Sequence, residues 1–286
     1  MRFTADHAFH IGSQHLRGGM PCQDYALSGA DEHQTFAILS DGCSTGGRTD
    51  VGARVIVHTT AKAIHKSTDI TNRRAFWIGW ECESYDLEAK LALNLRDEDL
   101  FATCAYIIVR SDGGLALAHI LGDGVIAAIN AAGHLSMFRY DWDSNMPVYR
   151  AYKSDNYRRF RAAHSEQPFA ASRVYHGRPA LSLPWPTKRR LDDQTRRMSM
   201  EEGLCGFSMD YETDNFHLIA VFSDGVTQVD GMDWRDVVAE LMNFKSTEGA
   251  FVKRRMNRFL KDCLAHGKGP VDDISMACIH IEHGAP

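Results

Sequence analysis

The stretch IIVRSDGGLALAHILGDGVIAAINAAGHLSMFRY, residues 107–140, decides the fold that we expect for this chain. Its apolar runs have the length of strands, and only a few turn residues separate each run from the next. Ser111 and Asp112, with the two glycines that follow them, form a strong hairpin signal, and Gly133 marks a further turn. Parallel strands need a crossover of a dozen or more residues, so connections this short predict antiparallel sheets.

Helices are expected on both sides of this meander in the sequence. Further strands are predicted at FTADHAFHIG (3–12), QTFAILSD (34–41), FHLIAVFSD (216–224) and ISMACIHIEH (274–283). Apolar residues recur at helical spacing in TDVGARVIVHTTAKAIHK (49–66), ESYDLEAKLALNLRDEDL (83–100), DWRDVVAELMNF (233–244) and GAFVKRRMNRFLKDCLAHG (249–267). This order of elements predicts an α+β protein in which helices cover antiparallel sheets.

Composition limits the class of protein. The chain has 286 residues and 44% apolar content, enough to bury a sizeable core. No run approaches the roughly 18 apolar residues of a membrane span, and MRFTADHAFHIG (1–12) lacks the pattern of a secretory signal. The seven cysteines are an odd number without a CxxC pair, which argues against a disulfide framework and a thiolate zinc site. We therefore expect a cytoplasmic protein with no membrane span.

The net charge of -5 conceals a basic segment. Residues 145–200 contain twelve Lys or Arg against four Asp or Glu, and five of the eight prolines. We expect this segment to be an irregular insertion. It is either a solvated excursion from the core or an electrostatic funnel for an anionic substrate. Basic and aromatic residues do not interleave as in RNA-binding proteins, so nucleic acid is not an expected partner.

Three predicted strands end on an aspartate that precedes a glycine: Asp41, Asp123 and Asp224. A single Asp-Gly of this kind is usually a turn. Three of them, together with Asp272 before a further predicted strand and Asp24 in MPCQDYALSG (20–29), indicate a shared edge. Carboxylates that converge there repel one another unless a hard cation neutralises them. Two Mg²⁺ or Mn²⁺ ions roughly 3.5 to 4 Å apart can hold a bridging hydroxide, so the residues favour metal-assisted phosphate hydrolysis.

The motif order PCQDYA, FAILSDGCSTGGRTDVGA, ILGDGV, VFSDGV and DDIS resembles that of the metal-dependent serine/threonine protein phosphatases of type 2C, in their compact bacterial branch. The resemblance runs from about Gly12 to Ile281. It implies a four-layer α/β/β/α sandwich over residues 1–286 as one domain, with the basic, proline-rich segment at about 145–200 as a flap. It also implies hydrolysis of phosphoserine or phosphothreonine on a partner protein, opposite a serine/threonine kinase and without a phosphoenzyme.

The resemblance assigns roles to particular positions. Asp41 matches the carboxylate that bridges two Mn²⁺ or Mg²⁺ ions, and the Gly42 carbonyl contributes to the second ion. Asp224 and Asp272 match the remaining ligands of the first ion, so these three aspartates are the predicted catalytic set. Two further metal positions are expected: Asp24 in the first acidic motif and Asp123 at a third, weaker site.

Three positions depart from the family pattern. Gln23 stands where many members have glutamate, and Cys43 stands where many have a histidine that can protonate the leaving alkoxide. Gly19 stands near the place of the arginine that binds phosphate. Arg17 and His15 lie nearby, and we expect them to contact the substrate phosphate.

Two alternative functions stay open on the sequence. GCSTG (42–46) fits the G-x-S-x-G pattern of serine hydrolases, with Ser44 as nucleophile and His266 or His280 in a triad. The other alternative is a catalytically weak or inactive member of the same fold that serves as a sensing or binding module. The departures at Gln23 and Cys43 favour it, whereas the presence of the metal carboxylates favours an enzyme.

Overall fold

The computed structural model describes residues 1–67, 72–142, 145–176 and 189–284. Their strands are β1 (Arg2–His10), β2 (Tyr25–Ala30), β3 (Gln34–Ser40), β4 (Cys104–Arg110), β5 (Leu115–Leu121), β6 (Gly124–Asn130), β7 (Leu135–Trp142), β8 (Glu166–His176), β9 (Arg189–Ser199), β10 (Phe207–Glu212), β11 (Phe216–Phe222) and β12 (Ile274–Glu282). Their α-helices are α1 (Ser13–Gly18), α2 (Thr49–Lys66), α3 (Asn72–Ala92), α4 (Arg158–Ala163), α5 (Met200–Cys205), α6 (Trp234–Leu241) and α7 (Phe251–Ala265).

Two antiparallel sheets form the centre of the protein. Among the described residues, one sheet has the order β1-β12-β11-β6-β7-β8-β9 and the other has the order β10-β5-β4-β3-β2. Apolar residues of the two sheets pack face to face; Leu39 and Ile107 of one sheet and Ile126 and Val221 of the other are all buried there. The antiparallel α+β fold that the sequence predicts is therefore confirmed.

Helices cover the outer face of each sheet. The long helices α2 and α3 lie on the sheet that contains β3 and β4, where residues such as Ile56 and Ile64 are fully buried. Helices α6 and α7 lie on the other sheet, with Val237 and Phe259 in its core. The predicted four-layer α/β/β/α sandwich is confirmed. No described helix has both the length and the apolar composition required to cross a membrane.

The boundaries of two predicted elements differ from those in the structure. Helix α3 begins at residue 72 and ends at Ala92, whereas the sequence pattern places the helix at residues 83–100. A separate 3-10 turn covers Asp97–Leu100. Asn94 lies between the helix and this turn. Its φ of 49° is in the left-handed region, which a right-handed helix cannot include.

The basic segment at residues 145–200 is more regular than expected. Its described parts contain β8 and β9, which pair with each other and extend the sheet beyond β7. Residues 177–188 of the segment lie outside the described residues. Aromatic and apolar side chains of this hairpin and of the chain just before and after it form a separate buried cluster. We call it the flap cluster, and it consists of Trp142, Val148, Tyr149, Tyr152, Phe169, Met198 and Met200. The segment thus has its own small core, which a solvated loop would lack.

Candidate metal centre

Strand pairing brings the predicted carboxylates to one edge of the two sheets. Tyr25 pairs with Ser40, so Asp24 and Asp41, the next residue on each chain segment, lie together just beyond this pair. In the other sheet, Val125 pairs with Phe222. Asp123 and Asp224 lie two residues beyond those partners, in the same direction. The charges of Asp24, Asp224 and Asp123 all act on Asp41, so the four aspartates lie together at this edge.

Backbone contacts fix the position of Asp41. Its N–H donates to the Thr103 hydroxyl at 3.1 Å, and its carbonyl accepts from the Thr103 N–H at 2.8 Å. The next residue, Gly42, forms a bridge with Ala102. A Cβ at Gly42 would lie 2.7 Å from the Thr49 carbonyl oxygen at the start of α2, a distance that real Cβ atoms do not show. Only glycine allows the chain to turn here next to that helix.

Asp24 is fully buried and only partly satisfied. The Ser223 hydroxyl donates to its Oδ2 at 2.8 Å. Its Oδ1 and the neighbouring Gln23 Oε1 are buried and have no hydrogen-bond partner among the described residues. Buried oxygens without donors are costly in a folded protein, and a cation can satisfy them. The donor set at this place is made of oxygens, which suits Mg²⁺ or Mn²⁺.

The electrostatics of the cluster also point to a cation. Burial, followed by the charges of Asp24 and Asp224, raises the pKa of Asp41 well above its usual value. Burial and then the charge of Asp224 raise the pKa of Asp123 in the same way. Burial raises the pKa of Asp24 to about 7, although the Ser223 hydrogen bond opposes this rise. Ionised together, these carboxylates need a compensating positive charge, so the residues fit a site for divalent cations.

Gln228 connects the carboxylates of Asp224 and Asp272. Its amide Nε2 donates to Asp224 Oδ2 at 3.2 Å and to Asp272 Oδ2 at 3.3 Å. Burial raises the pKa of Asp224, while its hydrogen bond with Asp41 lowers it. A Cβ at Gly225 would lie 1.8 Å from the Asp273 carbonyl oxygen, so the loops that contain Asp224 and Asp272 are in direct backbone contact. Asp224 therefore joins the cluster of Asp24, Asp41 and Asp123, and Asp272 adjoins it through Gln228.

Asp273 has a supporting position beside the cluster. Its two carboxylate oxygens accept the backbone N–H groups of Gly12 and Gln23, each at 2.6 Å. The His15 ring nitrogen Nδ1 lies 2.9 Å from Asp273 Oδ2 and 3.9 Å from Asp272 Oδ1. Ligand atoms of these three acidic and imidazole side chains lie within 4.8 Å of one another, a spacing that could hold a metal ion. Because Asp273 already accepts two backbone N–H groups, we interpret it as a support for the two loops.

The two residues expected to contact phosphate occupy different environments. His15 is only 6% exposed and lies against Asp273, so its position argues against the predicted contact with substrate. Arg17 is exposed on α1 and shares no hydrogen bond or ion pair with the carboxylates among the described residues. Gly19 follows α1 in the left-handed region, with φ of 64°, and forms its C-cap. This glycine thus ends the helix where the family has its arginine.

Cys43 packs against the flap cluster. Its N–H donates to the Phe101 carbonyl at 2.8 Å, and the Phe101 ring stacks on Tyr149 with centroids 5.6 Å apart. Burial, followed by the neighbouring Cys43, raises the pKa of the Tyr149 phenol, which therefore stays neutral. No motif pointed to Tyr149 because the contact depends on how residues 145–157 fold back over the metal edge.

A cavity of about 450 Å³ opens beside Asp224. Its lining is mainly polar and consists of Gly124, Arg139, Tyr140, Asp141, Trp142, Asn145, Asp224, Thr227 and Gln228. Arg139 supplies the one cation in this lining among the described residues. Sequence reasoning missed it because it lies within a strand, outside every motif, and only the pairing of β6 with β7 brings it to the carboxylates.

The serine hydrolase interpretation is not supported by this architecture. The G-x-S-x-G elbow belongs to a parallel sheet, whereas the strand before Ser44 pairs antiparallel on both sides. The two candidate histidines are engaged elsewhere: His266 Nδ1 contacts the Asp262 carbonyl on α7, and His280 lies between Thr4 and Thr247. Ser44 therefore lacks the partners of a hydrolase nucleophile among these two histidines.

Comparisons with known proteins agree with this geometry. Residues 11–140 match the model of a family described as protein phosphatase 2C. A solved bacterial serine phosphatase superposes with a TM-score of 0.55 at 10% identity, covering 100% of both chains. Stp1, a serine/threonine phosphatase from Staphylococcus aureus, gives 0.54 at 11% identity, over 99% of this chain and 96% of its own. The S. agalactiae serine/threonine phosphatase gives 0.50 at 14% identity, over 98% of this chain and 100% of its own.

At these identities the structural matches establish the fold alone. A search of curated proteins found no match. The family match over residues 11–140 and the shared fold together confirm the resemblance to protein phosphatases of type 2C that the motif order suggested. The matched segment includes Asp24, Asp41 and Asp123, whereas Asp224 and Asp272 lie beyond it. The case for those two residues rests on their motifs and on their place at the carboxylate edge.

Proposed function

We propose that this protein is a metal-dependent phosphatase that removes phosphate from serine or threonine side chains of a partner protein. The observation that carries the proposal is the convergence of Asp24, Asp41, Asp123 and Asp224 from separate strand ends, with pKa values raised by burial or mutual repulsion. Such a cluster binds divalent cations and has no evident use in a purely structural role. In the cell we place the reaction in the cytoplasm, opposite a serine/threonine kinase.

Each carboxylate has a proposed task. Asp41, with the Gly42 carbonyl beside it, would hold Mn²⁺ or Mg²⁺ ions together with Asp224 and Asp272. Asp24 contributes its unpaired Oδ1, and Asp123 holds a third, weaker site. When bound, the cations supply the positive charge that attracts the phosphate ester and activates water. Gln228 and Asp273 keep the two loops of the first site in place through the hydrogen bonds described above.

The flap is proposed to select the substrate. Arg158, Arg159, Arg196 and Arg197 are exposed in the segment at residues 145–200, and the flap cluster anchors this segment beside Cys43. Exposed cations near an anion-binding site raise the local concentration of anionic substrate. The basic segment would thus attract phosphorylated, acidic stretches of the partner protein.

The decisive experiment measures hydrolysis of a phosphothreonine peptide by the purified protein with added Mn²⁺ and with EDTA. We expect turnover with Mn²⁺ and none with EDTA. Asp224→Asn should lose activity by at least about 100-fold, since it removes a charged ligand of the first site, and calorimetry should show weaker Mn²⁺ binding. Asp262→Asn, at an exposed carboxylate on α7, is the matched control and should behave as wild type. Full turnover by Asp224→Asn would refute the metal assignment.

A second candidate function rests on Cys43. A thiol that packs against aromatic rings replaces the imidazole that would protonate the leaving group, and Gln23 removes one acidic ligand. A protein with these changes could bind cations and phosphoprotein without turnover. Mn²⁺ binding by calorimetry, in the absence of any hydrolysis of the peptide, would identify such a binding module.

A further inference from the structure

The cavity beside Asp224 contains an arginine to which neither the motifs nor the family comparison assigns a role. Arg139 lies on β7 opposite Val125 of β6, and Val125 in turn pairs with Phe222 of β11. Two residues beyond this row, toward the metal edge, come Asp141, Asp123 and Asp224. Arg139 is therefore two residues along the strands from the row that contains these three carboxylates. Burial raises the pKa of Asp123, and the positive charge of Arg139 opposes this rise.

The guanidinium of Arg139 is held in place before any ligand arrives. Its Nη2 forms an ion pair with Asp141 Oδ2, and Asp141 Oδ1 accepts the backbone N–H of Trp142 at 2.9 Å. On the other side, the guanidinium carbon lies 6.0 Å from the centroid of the Trp234 ring. Nitrogens Nε and Nη1 have no hydrogen-bond partner among the described residues. The side chain is 29% exposed, so these donors can be reached from the cavity.

The cavity has the size and composition of a binding site for a polar group. About 450 Å³ is more than a phosphate group fills, and it leaves room for the serine or threonine side chain that carries the phosphate. Asp224 places one end of the cavity at the metal centre, and Arg139 places a planar donor group in the same lining. Arginine suits phosphate because its donors match the spacing of two phosphate oxygens.

We propose that Arg139 binds the phosphate group of the substrate. The inference rests on the proposed phosphatase function and names the residue that orients the phosphate ester. It also accounts for two observations at the other end of the site: Gly19 has no side chain to offer, and the exposed Arg17 makes no contact with the carboxylates among the described residues. In this chain the phosphate contact comes from β7, on the Asp224 side of the metal centre.

Steady-state kinetics with the phosphothreonine peptide and Mn²⁺ test the assignment. Arg139→Met keeps an unbranched stem like that of arginine and removes the charged guanidinium. We expect its KM to rise about 10- to 100-fold, the worth of a charge-assisted hydrogen-bond pair, and kcat to change less than about threefold. The competitive inhibition constant of inorganic phosphate should rise in parallel. Mn²⁺ binding by calorimetry should not weaken, because removing a positive charge beside Asp123 does not reduce the attraction of the carboxylates for cations. A general disturbance of the edge would weaken it.

Two further variants separate binding from folding. Arg139→Lys keeps the charge and most of the stem, so it should fold even if the methionine variant does not, and its KM should still rise about 10-fold through loss of the fork. Arg258→Met, at an exposed arginine on α7, should match wild type. A KM and a phosphate inhibition constant within about twofold of wild type in a folded Arg139→Lys or Arg139→Met variant would overturn the proposal.

Failure of the proposed function gives a different result. If wild type with Mn²⁺ does not hydrolyse the peptide, calorimetry of inorganic phosphate binding to the Mn²⁺-loaded protein replaces kinetics. Phosphate binding by wild type that is weakened at least about tenfold in Arg139→Met would support the phosphate site in a protein that is not a phosphatase. Equal phosphate affinity in the two proteins, or no binding by wild type, would refute the role of Arg139.

Discussion

Replacing Asp24 by asparagine should stabilise the metal-free protein while damaging the metal site. Asp24 is fully buried, and its pKa rises from 3.8 to about 7 on folding. A carboxyl whose folded pKa is raised stabilises the fold below its unfolded pKa, and this stabilisation is lost as the pH rises through about 7. At pH 8 the unfolded chain gains more from ionisation than the folded chain by roughly 4 kcal/mol, against roughly 2 kcal/mol at pH 5.

An asparagine side chain at position 24 cannot ionise, and its amide oxygen can still accept the Ser223 hydroxyl. In EDTA, urea unfolding should therefore show an advantage of Asp24→Asn over wild type that grows by roughly 2 to 3 kcal/mol between pH 5 and pH 8. Added Mn²⁺ should stabilise wild type more than the variant at pH 8, because ligand binding to the folded state adds to its stability. The exposed Asp214→Asn serves as control and should show no such growth. An advantage that stays constant or shrinks with rising pH would refute the electrostatic account of the cluster.

Two other substitutions test the close packing and the rejected nucleophile. Gly225→Ala should lower both the free energy of unfolding, by about 2 kcal/mol, and the affinity for Mn²⁺, because its Cβ would lie 1.8 Å from the Asp273 carbonyl oxygen. Urea unfolding and calorimetry measure these effects against Gly284→Ala, where the added Cβ meets nothing within 4 Å; equal behaviour of the two variants would contradict the contact. Ser44→Ala should keep peptide hydrolysis within about twofold of wild type, since Ser44 is exposed in a turn of an antiparallel sheet; inactivation would restore the hydrolase interpretation.

The sequence predicts those parts of the molecule that depend on local pattern. Helix α2 runs over the predicted residues 49–66, because its apolar spacing is helical throughout and its neighbours are turn residues. The Asp-Gly pairs at the strand ends could also be predicted, because each is a short local pattern that follows an apolar run. Strands β8 and β9 were missed, since prolines and arginines obscure their alternation and since the strands depend on pairing, of β8 with β7 and of β9 with β8. Arg139 was missed because its place beside Asp224 depends on register across three strands.

The carboxylate edge requires a rigid support, and the structure supplies it through backbone contacts. Each of the aspartates costs stability when ionised without a cation, so flexible loops would move them apart to relieve repulsion. Here a Cβ at Gly12 would lie 2.2 Å from the Asp272 carbonyl carbon, and one at Gly225 would lie 1.8 Å from the Asp273 oxygen. Separating the loops would break this packing and the hydrogen bonds that Asp273 accepts from Gly12 and Gln23. The free energy stored in the repulsion is therefore available to cation binding, and four carboxylates that we assign to metal, Asp24, Asp41, Asp123 and Asp224, have raised pKa values.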